Sequence, residues 1–209
     1  MTRIDLKKEF KALYSASGRT VEFVDVPSMN FLMVDGKGDP ATARAYQQAV
    51  EALYSVAYTV KFAVKKSAAG IDYVVPPLQG LWWADDMRDF VTGNRDNWRW
   101  TMMIMQPEWV TAATVAAGIE TAGRKKDLPA LPLLRFDSYA EGRAAQVLHI
   151  GPYAEEGPTI RRLHDRIAEQ GLELRGRHHE IYLSDPRRTD PARLKTIIRQ
   201  PVAGPQNSA

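Results

Sequence analysis

The stretch His178-His179-Glu180-Ile181-Tyr182-Leu183 sets a carboxylate and a phenol two positions apart inside an otherwise apolar run. The run reads as a strand, and successive side chains of a strand point to opposite faces. Ile181 and Leu183 then share one face, while His178, Glu180 and Tyr182 share the other. A carboxylate beside an aromatic is costly to bury without a partner, and on a solvent-facing edge it would be ordinary. The aromatic company favours a lined cavity. There Glu180 could counter a ligand cation or take a proton from a water molecule, with burial raising its pKa toward the neutral range. Tyr182 offers a hydrogen-bond donor next to it.

Tryptophan is concentrated elsewhere in the chain: Trp82, Trp83, Trp98, Trp100 and Trp109 fall in one short region. Alternation sends Trp82 and Trp83 to opposite faces and puts Trp98 and Trp100 on the same one. Any single indole is as ordinary in a core as in a site. The set points to a flat, polarisable pocket for planar ligands, and indole faces also hold cations.

Other chemistry is excluded. His178 and Glu180 share a face, but His149 and His164 stand apart and no HExxH-type spacing occurs, so no metal site is expected. Cysteine is absent, which removes disulfides and thiolate ligands. Gly36-Lys37-Gly38 is too short to cradle phosphates, and Ser184 lacks the context of a nucleophile elbow. Neither a metal nor an organic cofactor is expected.

The elements that must position these residues are legible in outline. The 209 residues are 44% hydrophobic with a net charge of +3, enough for a sizeable core. Basic residues occur in short scattered runs (Lys65-Lys66, Arg124-Lys125-Lys126, Arg187-Arg188), not in the single stripe a nucleic-acid binder needs. Nothing approaches the roughly 18 apolar residues that span a bilayer, and Met1 to Phe10 carries no apolar signal segment. The expectation is a cytoplasmic protein that binds a small molecule, without nucleic acid or membrane. Its oligomeric state is left open.

Periodicity predicts strands at 21–27 and 29–34, a helix over 41–65, strand-like runs at 71–75, 78–83 and 99–105, and a helix from Pro107 to Ala122. The second half repeats that order, with strands at 134–140 and 143–150, a helix over 158–171, and strands at 178–184 and 194–202. Landmarks recur in register: Trp82-Trp83-Ala84-Asp85 against Tyr182-Leu183-Ser184-Asp185, and a strand closed by Gln106-Pro107 against one closed by Gln200-Pro201. We read one α+β domain over 1–209, made of tandem units at about 18–122 and 133–202 with a flexible tail at 203–209. A pseudo-twofold axis then leaves a ligand groove between the halves.

Three motifs give the chain a family likeness. Pro77-Leu78-Gln79-Gly80-Leu81-Trp82-Trp83-Ala84-Asp85, His149-Ile150-Gly151-Pro152-Tyr153 and His179-Glu180-Ile181-Tyr182-Leu183-Ser184-Asp185-Pro186-Arg187-Arg188 resemble the GyrI-like small-molecule-binding family, from about residue 3 to residue 202. The resemblance implies tandem strand–helix–strand–strand units. It also implies a central glutamate, here Glu180, among aromatics that hold bulky lipophilic cations. Trp82-Trp83 matches stand-alone members that hydrolyse the strained cyclopropane of DNA-alkylating natural products related to yatakemycin and CC-1065, a detoxification activity. On that reading Glu180 and Tyr182 are catalytic, and Trp82, Trp83, Trp98, Trp100, Tyr153 and His178 bind the ligand. The competing readings are a non-catalytic protein that sequesters drugs, and a gyrase inhibitor or transcriptional effector domain. The last has no dedicated interface element, and Met1 to Ser17 offers one helix at most in place of a DNA-binding module.

Overall fold

The computed structural model describes residues 3–86 and 94–204, a mixed helix-and-sheet fold. The chain divides into two compact units: Met1–Glu9 with Met29–Tyr139, and Phe10–Ser28 with Ala140–Ala209.

The first unit holds the second half of β1 (Glu22–Lys37), then α1 (Arg44–Lys66), β2 (Leu78–Trp83), β3 (Arg99–Gln106) and α2 (Ala112–Lys125). Strand β3 is central, antiparallel to β1 from Asn30↔Gln106 to Lys37↔Arg99 and to β2 from Leu78↔Ile104 to Trp83↔Arg99. Its residues from Trp100 to Gln106 are all buried, so both faces of this strand are covered. Helix α1 buries Ala49, Ala52, Leu53, Val56, Ala57, Val60 and Val64, a stripe at helical spacing. Thr111 caps α2 by accepting from the Thr114 amide. Gly118 lets the two helices approach, because a Cβ there would lie 2.6 Å from Val60 Cγ2.

The second unit follows the same plan with β4 (Arg135–Ile150), α3 (Gly157–Glu169), β6 (His178–Tyr182) and β7 (Lys195–Ala203). Strand β7 is central here, antiparallel to β4 from Ala144↔Pro201 to Ile150↔Lys195 and to β6 from His179↔Arg199 to Tyr182↔Thr196. A two-residue strand, β5 (Glu173–Leu174), pairs with the end of β7. Helix α3 buries Leu163 and Ile167 against Ala145, Val147, Ile198 and Val202. In both units the chain runs strand, helix, strand, strand, and the last strand is the middle one.

Local punctuation misplaced several boundaries. Residues 21–27 and 29–34 form one strand, β1, which passes through Pro27. The missing proline N–H costs no rung to β3, whose register with β1 begins only at Asn30. Residues 134–140 and 143–150 likewise merge into β4. The run at 71–75 makes only an isolated parallel bridge, Ile4↔Tyr73, ahead of two prolines that supply no N–H donors. Pro107 opens a turn closed by Val110 N–H on its carbonyl, and α2 waits for its cap. Ala203 belongs to β7, and the rest of the expected tail, from 205, lies outside the described residues.

Candidate functional site

Strand β6 delivers its side chains as alternation demands. His178, Glu180 and Tyr182 are half-buried on one face, and His179 and Ile181 are fully buried on the other. On the first face the Tyr182 hydroxyl donates to Glu180 Oε2 at 2.7 Å. His178 Nε2 stands 3.1 Å from Glu180 Oε1, with both side chains about 15% exposed or less. Glu180 therefore has both carboxylate oxygens held. Tyr153, 39% exposed, meets the Tyr182 ring edge-on with centroids 5.7 Å apart.

The loop before α3 adds a residue absent from the candidates read from the sequence. His149 Nε2 donates to the Pro152 carbonyl at 3.2 Å, and Nδ1 then accepts from Thr159 Oγ1 at 3.0 Å. These two bonds tie the Gly151-Pro152-Tyr153 turn to the start of the helix. Glu156, directly before Gly157, is consequently only 5% exposed. Burial, and next the negative charge of Glu180 beside it, push the Glu156 carboxyl up to about 9, against a smaller opposing effect of the Thr196 hydroxyl. Its Oε1 and Thr196 Oγ1 are both buried. Thr196 sits across from Tyr182 in the β6–β7 register. His164 on α3 is lowered by burial and by His178. The expectation named Glu180 as the carboxyl that burial raises; the residue raised to about 9 at this site is Glu156. In sequence it sits in Ala154-Glu155-Glu156-Gly157-Pro158, a polar helix start with no distinguishing signal.

The opposite face of β6 and β7 carries a second carboxylate, used differently. Glu141 is 1% exposed and bound to His179 Nδ1 at 2.8 Å and Arg199 Nη1 at 3.1 Å. Arg199 also donates to Gln146 Oε1 and to the Leu13 carbonyl, and Gln146 to the Ala12 carbonyl. Burial opposes the charge on Glu141, but His179 and Arg199 outweigh it and hold the carboxyl at about 2. This network fastens the segment Lys11–Tyr14 to its unit.

The first unit gathers the indoles. Trp82 stacks on Tyr46 at 6.2 Å and meets Trp98 edge-on at 6.1 Å, while Trp100 meets Tyr46 edge-on at 5.4 Å. Trp82 and Trp100 are register partners, so these three tryptophans share a face and Trp83 takes the other. Trp100 is fully buried and lies over Gly36, where a Cβ would come within 2.1 Å of its ring. Arg95 sits 5.3 Å above Trp98, whose ring is partly accessible. Trp109 is apart from the cluster and packs on Tyr73. No group of three His, Cys, Asp or Glu residues suited to a metal occurs among the described residues.

Two α+β units of one strand order, with a carboxyl pair held among tyrosines and histidines, define a small-molecule-binding domain. The family model described as the GyrI-like small molecule binding domain matches residues 19–203, and the chain belongs to that family. Among solved structures it is similar to an uncharacterized conserved protein from Listeria innocua, at 41% identity and a TM-score of 0.89, covering 96% of this chain and all of that one. It is similar also to a hydrolase from Listeria innocua, at 40% identity and a TM-score of 0.84 over the same shares of the two chains. The C-terminal domain of EcmrR shares the fold alone, at 12% identity and a TM-score of 0.57, covering 89% of this chain and 98% of that one. No curated protein matches the chain. No described helix is long and apolar enough to cross a membrane.

Proposed function

We propose that the chain binds planar, lipophilic small molecules at the Glu180 face of β6 and hydrolyses the cyclopropane of DNA-alkylating cyclopropanoid compounds. The observation that carries this reading is the pair of unlike carboxyls: Glu180 held by Tyr182 and His178, and Glu156 buried beside it and raised to about 9. Such a pair supplies a proton acceptor and a proton donor at neutral pH. Likeness over the full chain to a Listeria protein described as a hydrolase supports it.

The chemistry balances within the pair. Glu180 takes a proton from water as its oxygen bonds to the ring methylene. The strained C–C bond breaks, and its electron pair passes through the conjugated dienone to the carbonyl oxygen. Glu156 protonates that oxygen, giving a phenol. Water has been added across one bond, and the proton now on Glu180 returns to Glu156. Tyr182 already gives its hydroxyl to Glu180, so it positions the base, and Glu156 replaces it as donor to the dienone oxygen. Aromatic side chains hold the flat substrate, and orientation lowers the barrier further.

A second reading is favoured by one feature: among the described residues neither glutamate has a lysine or arginine partner, so the site could hold a cation and do nothing more. Turnover separates the two. Incubated with excess spirocyclopropyl dienone, a hydrolase converts many equivalents and a sequestering protein retains one. Conversion limited to one equivalent by the wild type would overturn the enzymatic reading.

A further inference from the structure

Helix α1 buries one stripe and leaves the opposite one open. On the open side Tyr54 stacks on Tyr58 with ring centroids 6.3 Å apart, and Tyr58 stacks on Phe62 at 6.4 Å. Tyr58 and Phe62 are 46% and 48% exposed. Contiguous apolar surface of this kind marks a contact face, and tyrosine and phenylalanine are the residues that interface centres favour. The same face begins at Glu51 and ends at Lys65, whose side chains are 42% and 43% exposed.

The spacing indicates what covers it. Glu51, Tyr54, Tyr58, Phe62 and Lys65 follow one another at steps of three, four, four and three residues. The mean step is about 3.5, the period at which two helices keep one seam in contact. The pattern is symmetric about Tyr58 in spacing and opposite in charge at its ends. We propose that this face of α1 pairs with the same face of a second copy of the chain, antiparallel and centred on Tyr58. Seven residues of helix rise about 10 Å, so Glu51 comes level with Lys65 of the second copy, and Tyr54 with its Phe62. The twofold axis repeats both contacts, as an isologous interface requires. A parallel copy would instead set Glu51 against Glu51 and Lys65 against Lys65. Charge thus selects the orientation, and the rings supply the buried area.

Within the chain Lys126 bonds Glu51 and Asp72 bonds Lys65, which fixes where the two charges stand while leaving each of them partly open. From Glu51 to Lys65 the helix is about 21 Å long and about 10 Å wide. That footprint is well below the about 800 Å² that each partner of a standard complex buries. The dimer is therefore weak and depends on concentration.

Sedimentation equilibrium on the wild-type chain tests this. Monomer should give way to dimer with a dissociation constant between about 10 µM and 1 mM. Tyr58→Glu, at a half-exposed position, should keep the wild-type melt and weaken the dimer at least tenfold. Glu51→Lys touches no ring of the stack and sets lysine against Lys65, so it should weaken the dimer in the same direction. A carbodiimide, which joins a carboxylate directly to an amine, is then applied to a mixture of heavy-nitrogen-labelled and unlabelled wild type. It should yield a mixed-isotope peptide joining Glu51 to Lys65. A chain that stays monomeric up to about 1 mM, whether or not it binds vesicles of anionic lipid, would overturn the proposal. So would a dimer that neither variant weakens, or one whose links between copies omit Glu51 and Lys65.

Discussion

Glu156, at the threshold of α3, stands close enough to Glu180, in the middle of β6, for the charge of Glu180 to help raise the Glu156 carboxyl to about 9. Each prediction about activity depends on keeping those two carboxyls distinct.

Glu180→Gln keeps the shape and the hydrogen bond from Tyr182 but cannot accept a proton. Turnover of a cyclopropanoid should fall by about 10²–10⁴-fold, the usual contribution of a general base. Affinity for a neutral planar substrate should hold, because stacking supplies it. Rate and binding measured on the same variant check this, and a proportionate loss of both would mean that Glu180 binds and does not catalyse.

Glu156→Gln should stabilise the fold at neutral and alkaline pH. The folded-state pKa of this carboxyl is raised from 4.5 to about 9. Stability linked to it is fully present below about 4.5 and is lost as pH rises toward 9, because the unfolded chain gives up the proton more readily. The melting temperatures of wild type and variant should coincide near pH 4.5 and separate steadily up to pH 9, with the variant higher. Melts across that range decide it.

Glu141 has the opposite sign. Its folded pKa is lowered from 4.5 to about 2, so its contribution is complete above 4.5 and disappears as pH falls through 2. Glu141→Ala would strand the buried Arg199 guanidinium and should cost about 3–5 kcal/mol. It should also remove most of the acid sensitivity between those limits. Denaturant unfolding at neutral and acid pH measures both effects.

Gly36→Ala should displace Trp100, whose ring occupies the space a Cβ would need. The strand pairing Gly36↔Trp100 leaves neither residue room to slide. We expect a loss of about 1–3 kcal/mol from overpacking and a red shift of tryptophan emission as the indole meets water. An unshifted spectrum with wild-type stability would mean that β1 and β3 yield locally.

The division between sequence and tertiary structure follows the range of the forces involved. Alternation along a strand is a local property, so the shared face of His178, Glu180 and Tyr182 was legible, as was that of Trp98 and Trp100. The stripe of α1 and the recurrence of strand, helix, strand and strand were legible for the same reason. Punctuation was less reliable: Pro27 ends a strand only where a partner needs its N–H, and no single chain segment records its partners. Identifying Glu156 as the raised carboxyl was beyond the sequence altogether. Two adjacent glutamates ahead of Gly157-Pro158 look alike, yet His149 fastens the turn, α3 settles on β4 and β7, and one glutamate is buried against Glu180 while the other stays in water. The same holds for Glu141, whose partners His179, Arg199 and Gln146 converge only once β4, β6 and β7 are paired. Residue type determined which groups could ionise. Desolvation and the charges gathered around each, which exist only in the folded chain, decided which of them keeps its proton.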